Sequence, residues 1–293
     1  MFSISFTQRH KEKFMVENTV WPSLGGWEST RDTLHAYSKV AAAPARVLAD
    51  PHPNWWHVSL TVTSNGLLSN PMSHKSLGDH ELRILLNLNS HSLEVLVNGE
   101  LEQSLDLKKG DSASDMGYKL EACLSGLGIE VELPKDKYAD DSPRHYDPAT
   151  SKRYLSAINI IDEAMKSFRS DLNGERSPVQ LWPHHFDLAF EWFGSKRVSY
   201  EENGEHSEHP AQLNFGFAPG DASFPDPYFY SNPWPFEQDL TRETLPHGAR
   251  WFSDGFEGTL LPYRTLVDDD KATQKLLDYY RRVFELAEPT LMD

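Results

Sequence analysis

Residues 179–193 read Val-Gln-Leu-Trp-Pro-His-His-Phe-Asp-Leu-Ala-Phe-Glu-Trp-Phe. After Pro183, the row Phe186, Leu188, Phe190, Trp192 alternates with His185, Asp187, Ala189, Glu191. A period of two is the mark of a half-buried strand, with one row in a core and the other facing out. The pattern occurs earlier at 55–64, where Trp56, Val58, Leu60 and Val62 alternate with His57, Ser59, Thr61 and Thr63. Set side by side, Trp55–Val62 followed by Gly66 matches Pro183–Phe190 followed by Gly194, with His, Leu and Gly identical at equal offsets. Each stretch follows a helix and a turn-rich loop and precedes further strands and a helix. The reading is an α+β protein of two similar helix–β-meander–helix halves, an internal duplication, packed into one globular body with mainly antiparallel sheets. Its boundaries are 1–134 for the N-terminal half, 135–147 for a polar connection and 148–293 for the C-terminal half.

Outward from these strands, the helices announce themselves by period and cap. Ser29 and Thr30 are N-cap types ahead of Leu34, Tyr37 and Val40, and Pro44 ends or kinks that helix. Ser114 heads a helix over Met116, Leu120, Leu124 and Leu127, and Ile129–Leu133 alternates like a short strand. Asp147-Pro148 combines a cap with proline at the first helical position. The seam that follows, Tyr154, Ile158, Ile161, Met165, Phe168, Leu172, steps by four and three. Asn98-Gly99 predicts a hairpin between Ser92–Asn98 and Glu100–Leu107. Residues 201–210 read as an acidic loop. The prolines at 225, 227, 233 and 235 predict that the strand near Tyr228–Ser231 lies at a sheet edge. Asp268–Asp270 heads a last helix facing inward through Leu276, Leu277, Tyr280 and Phe284.

Composition excludes several functions. The chain has 293 residues, a formal net charge of −16 and one cysteine. Such acidity argues against a nucleic-acid partner, which needs clustered Lys and Arg. One cysteine makes no internal disulfide and no thiolate metal cluster. No apolar run reaches membrane length, and Met1–Lys13 carries no secretory h-region. The expected place is the cytoplasm, with no membrane contact and the protein partner left open. The chain contains no phosphate-binding P-loop, dinucleotide fingerprint or nucleophile elbow.

The chemistry-bearing residues gather around the quoted stretch. His185 and Asp187 share a strand face at about 6.5–7 Å, and His57 holds the matching place in the other half. His57, His185 and Asp187 are the composition of a divalent metal site. The plainer reading is a hydrogen-bonded pair tying a strand end to a loop. His184 adjoins them, and His35 on the first helix either faces the same interior or caps it. Trp55, Trp182, Phe217, Tyr228 and Tyr230 join apolar bodies to polar tips and suit the walls of a cleft for a flat, polar small molecule. The expected function is small-molecule binding in a His/Asp- and aromatic-lined cleft between the halves, with metal-assisted hydrolysis as its concrete enzymatic form. The alternative is a non-catalytic interaction module that docks a protein through the proline- and aromatic-rich edge 224–236.

Motifs spread over roughly residues 21–287 carry a resemblance. They include Trp21-Pro22, Thr33-Leu34-His35, Asn54-Trp55-Trp56-His57-Val58, Tyr146-Asp147-Pro148, Leu181 to Ala189, Asn214-Phe215-Gly216-Phe217, Pro219-Gly220-Asp221, Pro227-Tyr228-Phe229-Tyr230 and Leu261-Pro262-Tyr263. Jointly they resemble the bacterial domain-of-unknown-function 5996 family. The resemblance implies no assigned activity. One branch of that family carries Gly-Ser where this chain has His184-His185, so a metal site needing both histidines is not implied for the family. Some relatives carry Gly-Lys in place of Ala42-Ala43, which removes a basic anchor here.

Overall fold

The computed structural model describes residues 20–202, 205–221 and 224–293. Among these described residues, four helices and twelve strands form an α+β body. The helices are α1 (Glu28–Ala42), α2 (Ala113–Gly126), α3 (Pro148–Asp171) and α4 (Ala272–Ala287), and one further turn, Ala45–Leu48, follows α1. The strands are β1 (Leu60–Thr63), β2 (Gly66–Ser69), β3 (Leu82–Asn87), β4 (Ser92–Val97), β5 (Glu100–Asp106), β6 (Glu175–Arg176), β7 (Gln180–Trp182), β8 (Asp187–Glu202), β9 (Glu205–Ala218), β10 (Tyr228–Trp234), β11 (Arg250–Phe252) and β12 (Gly258–Pro262).

All strands join one antiparallel sheet in the order β11-β12-β10-β9-β8-β7-β1-β2-β3-β4-β5, with β6 added against β8. Each half contributes a meander, and the meanders meet at β1 and β7 through the register pair Leu60–Leu181. The strands before and after α3 therefore share one sheet. The stretches that match in sequence both pass from a turn into a strand: 55–62 enters β1 at Leu60, and 183–190 enters β8 at Asp187.

The later helices follow the expected signals closely, whereas α1 already begins at Glu28, so that Ser29 and Thr30 stand in its first turn and Trp27 holds the cap position without a side-chain bond. The Asp147 carboxylate accepts the Thr150 N–H at 2.7 Å and Pro148 opens α3. The α3 seam from Tyr154 to Phe168 is buried. Ser112, two residues before the expected cap, heads α2 by accepting the Asp115 N–H at 3.0 Å. Trp21 and Trp27 tie the start of the described chain to the body. Trp27 stacks on Tyr154 at 4.9 Å, and the Trp21 indole N–H donates to Thr273 at 3.2 Å.

Several expectations are corrected. Trp56–Val58 is a 3-10 turn, and the strand begins only at Leu60. Ile129–Leu133 forms no strand: the Ile129 N–H donates to the Leu124 carbonyl and the Leu133 N–H to the Glu121 carboxylate, so this backbone is spent on α2. Residues 201–210 belong largely to the β8–β9 hairpin, with Ser199 paired to Glu208 and Val198 to His209. Ser199, Arg197 and Glu208 are exposed, so the outer hairpin lacks the buried row that gives strands their alternation. The strand β10 is not an edge. It pairs with β9 along its whole length and with β12 over Tyr228–Ser231. Pro233 lies past the end of the β12 ladder, where a missing N–H costs nothing on that side. The true edges are β5 and β11, and β5 carries Glu100, Glu102 and Asp106, charges that discourage edge-to-edge pairing.

The helices contact β1, β2, β3, β5, β9 and β10, and one continuous core lies between them and the sheet. Leu188, Phe190 and Trp192 of β8 point into it, as do Leu213, Phe215 and Phe217 of β9. The alternate residues, among them Asp187, Glu191, Asn214 and Tyr230, therefore take the opposite face. Among the described residues no helix is long and apolar enough to cross a membrane.

Candidate functional site

The site is organised by the four-residue turn between β7 and β8. Trp182 pairs with Asp187, and the Phe186 N–H closes the turn on the Trp182 carbonyl at 2.8 Å. Phe186 has φ +61°, a left-handed conformation that costs a bulky L-residue about 1–2 kcal/mol. Burial of its ring offsets that cost. Phe186 is 1% exposed and packs against Tyr154 at 5.4 Å and His35 at 5.7 Å. His35 adds a second hold, its Nε2–H donating to the His184 carbonyl at 3.1 Å. With Phe186 held inward, His184 and His185 stand exposed and Asp187 begins the outer row of β8.

A cavity of about 650 Å³ opens on that outer face. Its sheet side is made by Trp182, Asp187, Ala189, Glu191, Asn214 and Tyr230. The segments following α1 add Arg46, Asn54, Trp55 and Val58, the connection between the halves adds Lys137, and His184 and His185 complete the lining. Asp187 is 9% exposed. The Tyr230 hydroxyl donates to its Oδ2 at 2.5 Å, and Oδ1 has no hydrogen-bond partner. Burial pushes the Asp187 carboxyl above its usual range, against the opposing pull of the Tyr230 bond and His185. Glu191 is pushed up too, by burial and by the neighbouring Asp187. Gly216, in register with Tyr230, leaves the space the phenol ring occupies: a Cβ there would lie 2.2 Å from Tyr230 Cζ.

The cationic side differs. Lys137 forms an exposed ion pair with Asp136 at 2.8 Å. The half-buried Arg46 has no hydrogen bond or ion pair among the described residues, and burial lowers its pKa. Desolvation, reinforced by His185, Arg46 and Lys39, holds the His184 imidazole at about 4. Burial first and Lys39 second hold His35 at about 4 as well, so both rings are neutral at pH 7.

Of the residues singled out from sequence, Trp55, Trp182, His184, His185, Asp187 and Tyr230 line this cavity. The other four do not. His35 lies under the turn. The His57 Nδ1 accepts the His52 N–H at 3.1 Å and its ring stacks on Trp55. Phe217 is core, packed on Phe229 and Tyr263. Tyr228 packs edge-on against Phe224 at 4.7 Å. The expected metal set of His57, His185 and Asp187 is not assembled: among the described residues no three His, Cys, Asp or Glu side chains come together to hold a metal ion. The physical reason is that His57 sits on a 3-10 turn before β1, with its ring nitrogen committed to local backbone.

Sequence reasoning missed Arg46, Asn54, Lys137 and Asn214. Asn214 and Gly216 alternate with Phe215 and Phe217, so the period-two rule could have placed them beside Asp187. Arg46 and Lys137 carry no such signal, because they arrive on turns from distant parts of the chain.

A family model described as a family of unknown function (DUF5996) matches residues 21–291. No curated protein and no solved structure matches the chain.

Proposed function

The chain belongs to the DUF5996 family, and on that premise we propose that it binds a small polar molecule in the cavity above the β7–β8 turn. The observation that carries this reading is Asp187, a nine-tenths buried carboxyl in the cavity lining whose Oδ1 has no partner. A buried polar atom left unpaired costs about 1–3 kcal/mol, so a native site that keeps one is fitted for a group that completes it. Trp55 and Trp182 supply flat apolar surface, and Asn54 and Asn214 supply amides that can fix orientation, the usual make-up of a small-molecule pocket. The histidines and carboxyls would bind and orient. With no metal-holding group among the described residues, the metal-assisted version is set aside.

The order helix, meander, helix in each half supports a duplicated unit, with the cavity beside its junction. The alternative of docking through 224–236 loses its premise, because β10 is covered on both sides over Tyr228–Ser231.

A thermal-shift screen of polar metabolite-sized compounds tests the reading. A binder raises the melting temperature by mass action. Hits should stabilise the wild type and lose most of that effect in folded Asp187→Asn and Trp182→Ala variants. Hits that stabilise all three proteins equally would place binding elsewhere and overturn the proposal.

A further inference from the structure

Resting on that reading, we infer that the ligand is an anionic sugar-like molecule, its carboxylate or phosphate seated on Arg46 and its hydroxyls directed to Asp187. Two independent observations converge. The first is Arg46, a half-buried guanidinium in the cavity lining without a hydrogen bond or ion pair among the described residues. A charge partly withdrawn from water, with no contact partner and only the exposed Asp136 carboxylate acting on it through space, is where a counter-charge gains most, and the planar fork of Arg suits two-point contact with carboxylate or phosphate. Lys137, the other cation in the lining, is in contact with Asp136 at 2.8 Å, whereas Arg46 feels that carboxylate only at a distance, so the free donors are those of Arg46. The chain as a whole is acidic at −16, which makes this cation stand against the general field.

The second observation is the sheet side. Asp187 Oδ1 is unpartnered, and Asn214 Oδ1 is likewise buried without a partner. Two acceptors with no donor call for hydroxyl hydrogens on the ligand. Trp55 and Trp182 offer ring faces against which a sugar ring packs, and the roughly 650 Å³ volume accommodates one hexose unit with its anionic group. A purely anionic ligand would leave the acceptors unmet, and a neutral sugar would leave Arg46 unmet.

The test is isothermal titration of the full chain with glucose 6-phosphate, glucuronate and glucose, in wild type, Arg46→Gln and Lys137→Gln. The expected result is binding of at least one anionic probe at least tenfold tighter than glucose. Arg46→Gln should weaken that probe tenfold or more while Lys137→Gln changes it less. Preference for glucose 6-phosphate identifies phosphate as the anion, and preference for glucuronate identifies carboxylate. Glucose binding as tightly as both anions, no binding of either anion, or anion binding unaltered by Arg46→Gln would each overturn the inference. Neutral screen hits that still depend on Asp187 would then leave the cavity reading standing, whereas loss of every Asp187-dependent hit would sink both. Should Arg46→Gln misfold, Arg46→Lys keeps the charge without the fork, and the inference requires it to weaken the preferred anion measurably.

Discussion

The Tyr230 hydroxyl donates to Asp187 Oδ2 at 2.5 Å across two intervening ladders, β8 with β9 and β9 with β10. That bond spans β9 because Gly216, between them, has no side chain to fill the space. It leaves Asp187 half satisfied, with one oxygen bonded and the other buried without a partner.

Tyr230→Phe should destabilise the fold by roughly 1–3 kcal/mol, since it leaves a buried carboxyl with both oxygens unpaired. Denaturant midpoints read this directly. A change within a few tenths of a kcal/mol would mean the bond is not formed in solution.

Gly216→Ala places a methyl against the Tyr230 ring and should cost about 1–3 kcal/mol by overpacking. Because it acts partly by displacing the Tyr230 hydroxyl, combining it with Tyr230→Phe should cost less than the sum of the two. Strict additivity in chemical denaturation would refute the coupling.

Asp187 introduces a pH dependence of definite sign. Its carboxyl is raised above the ordinary 3.8, so on raising pH the unfolded chain releases the proton first. Stability therefore falls as pH climbs from about 3.8 through the raised folded value. Asp187→Asn removes this penalty. The stability difference between variant and wild type should shift towards the variant as pH rises above about 3.8, and a difference independent of pH would count against a raised pKa.

His35 works in the opposite sense. Its folded value is about 4 against an ordinary 6.5, so the unfolded chain takes up the proton first as pH falls. The stability it contributes is present at pH 7, declines below about 6.5 and is gone by about 4. His35→Gln should show a shallower fall in melting temperature over that window than wild type.

Phe186 tests the turn. Phe186→Ala should cost about 3–5 kcal/mol through the emptied core position. Glycine is ordinarily no better than alanine, but at φ +61° it escapes the left-handed penalty. Phe186→Gly should therefore be at least as stable as Phe186→Ala, and a clearly less stable glycine variant would show that the turn relaxes to another conformation.

Much of this molecule was written locally. The Asp147-Pro148 start and the α3 seam, the Asn98-Gly99 hairpin, and the alternation that sends Phe186, Leu188, Phe190 and Trp192 inward depend on near neighbours along the chain. Asp187 and the tryptophans at 55 and 182 were recognisable as site residues for the same reason: polar and aromatic side chains on a strand's outer row or at its end have few other uses. Tertiary structure decided the rest. Whether two meanders make two sheets or one turns on a single register pair, Leu60 with Leu181, which no periodicity encodes. His57 and His185 match in sequence and each stands on a turn ahead of a strand, so His185 does not share a strand face with Asp187; the His57 Nδ1 accepts the local His52 N–H, whereas His185 lines the cavity. Arg46 and Lys137 look like ordinary surface charges until separate turns bring them to the cavity lining. Strand and helix faces repeat with short periods that one sequence records. The meeting of remote turns depends on how the whole sheet twists and closes, which is a property of the folded chain alone.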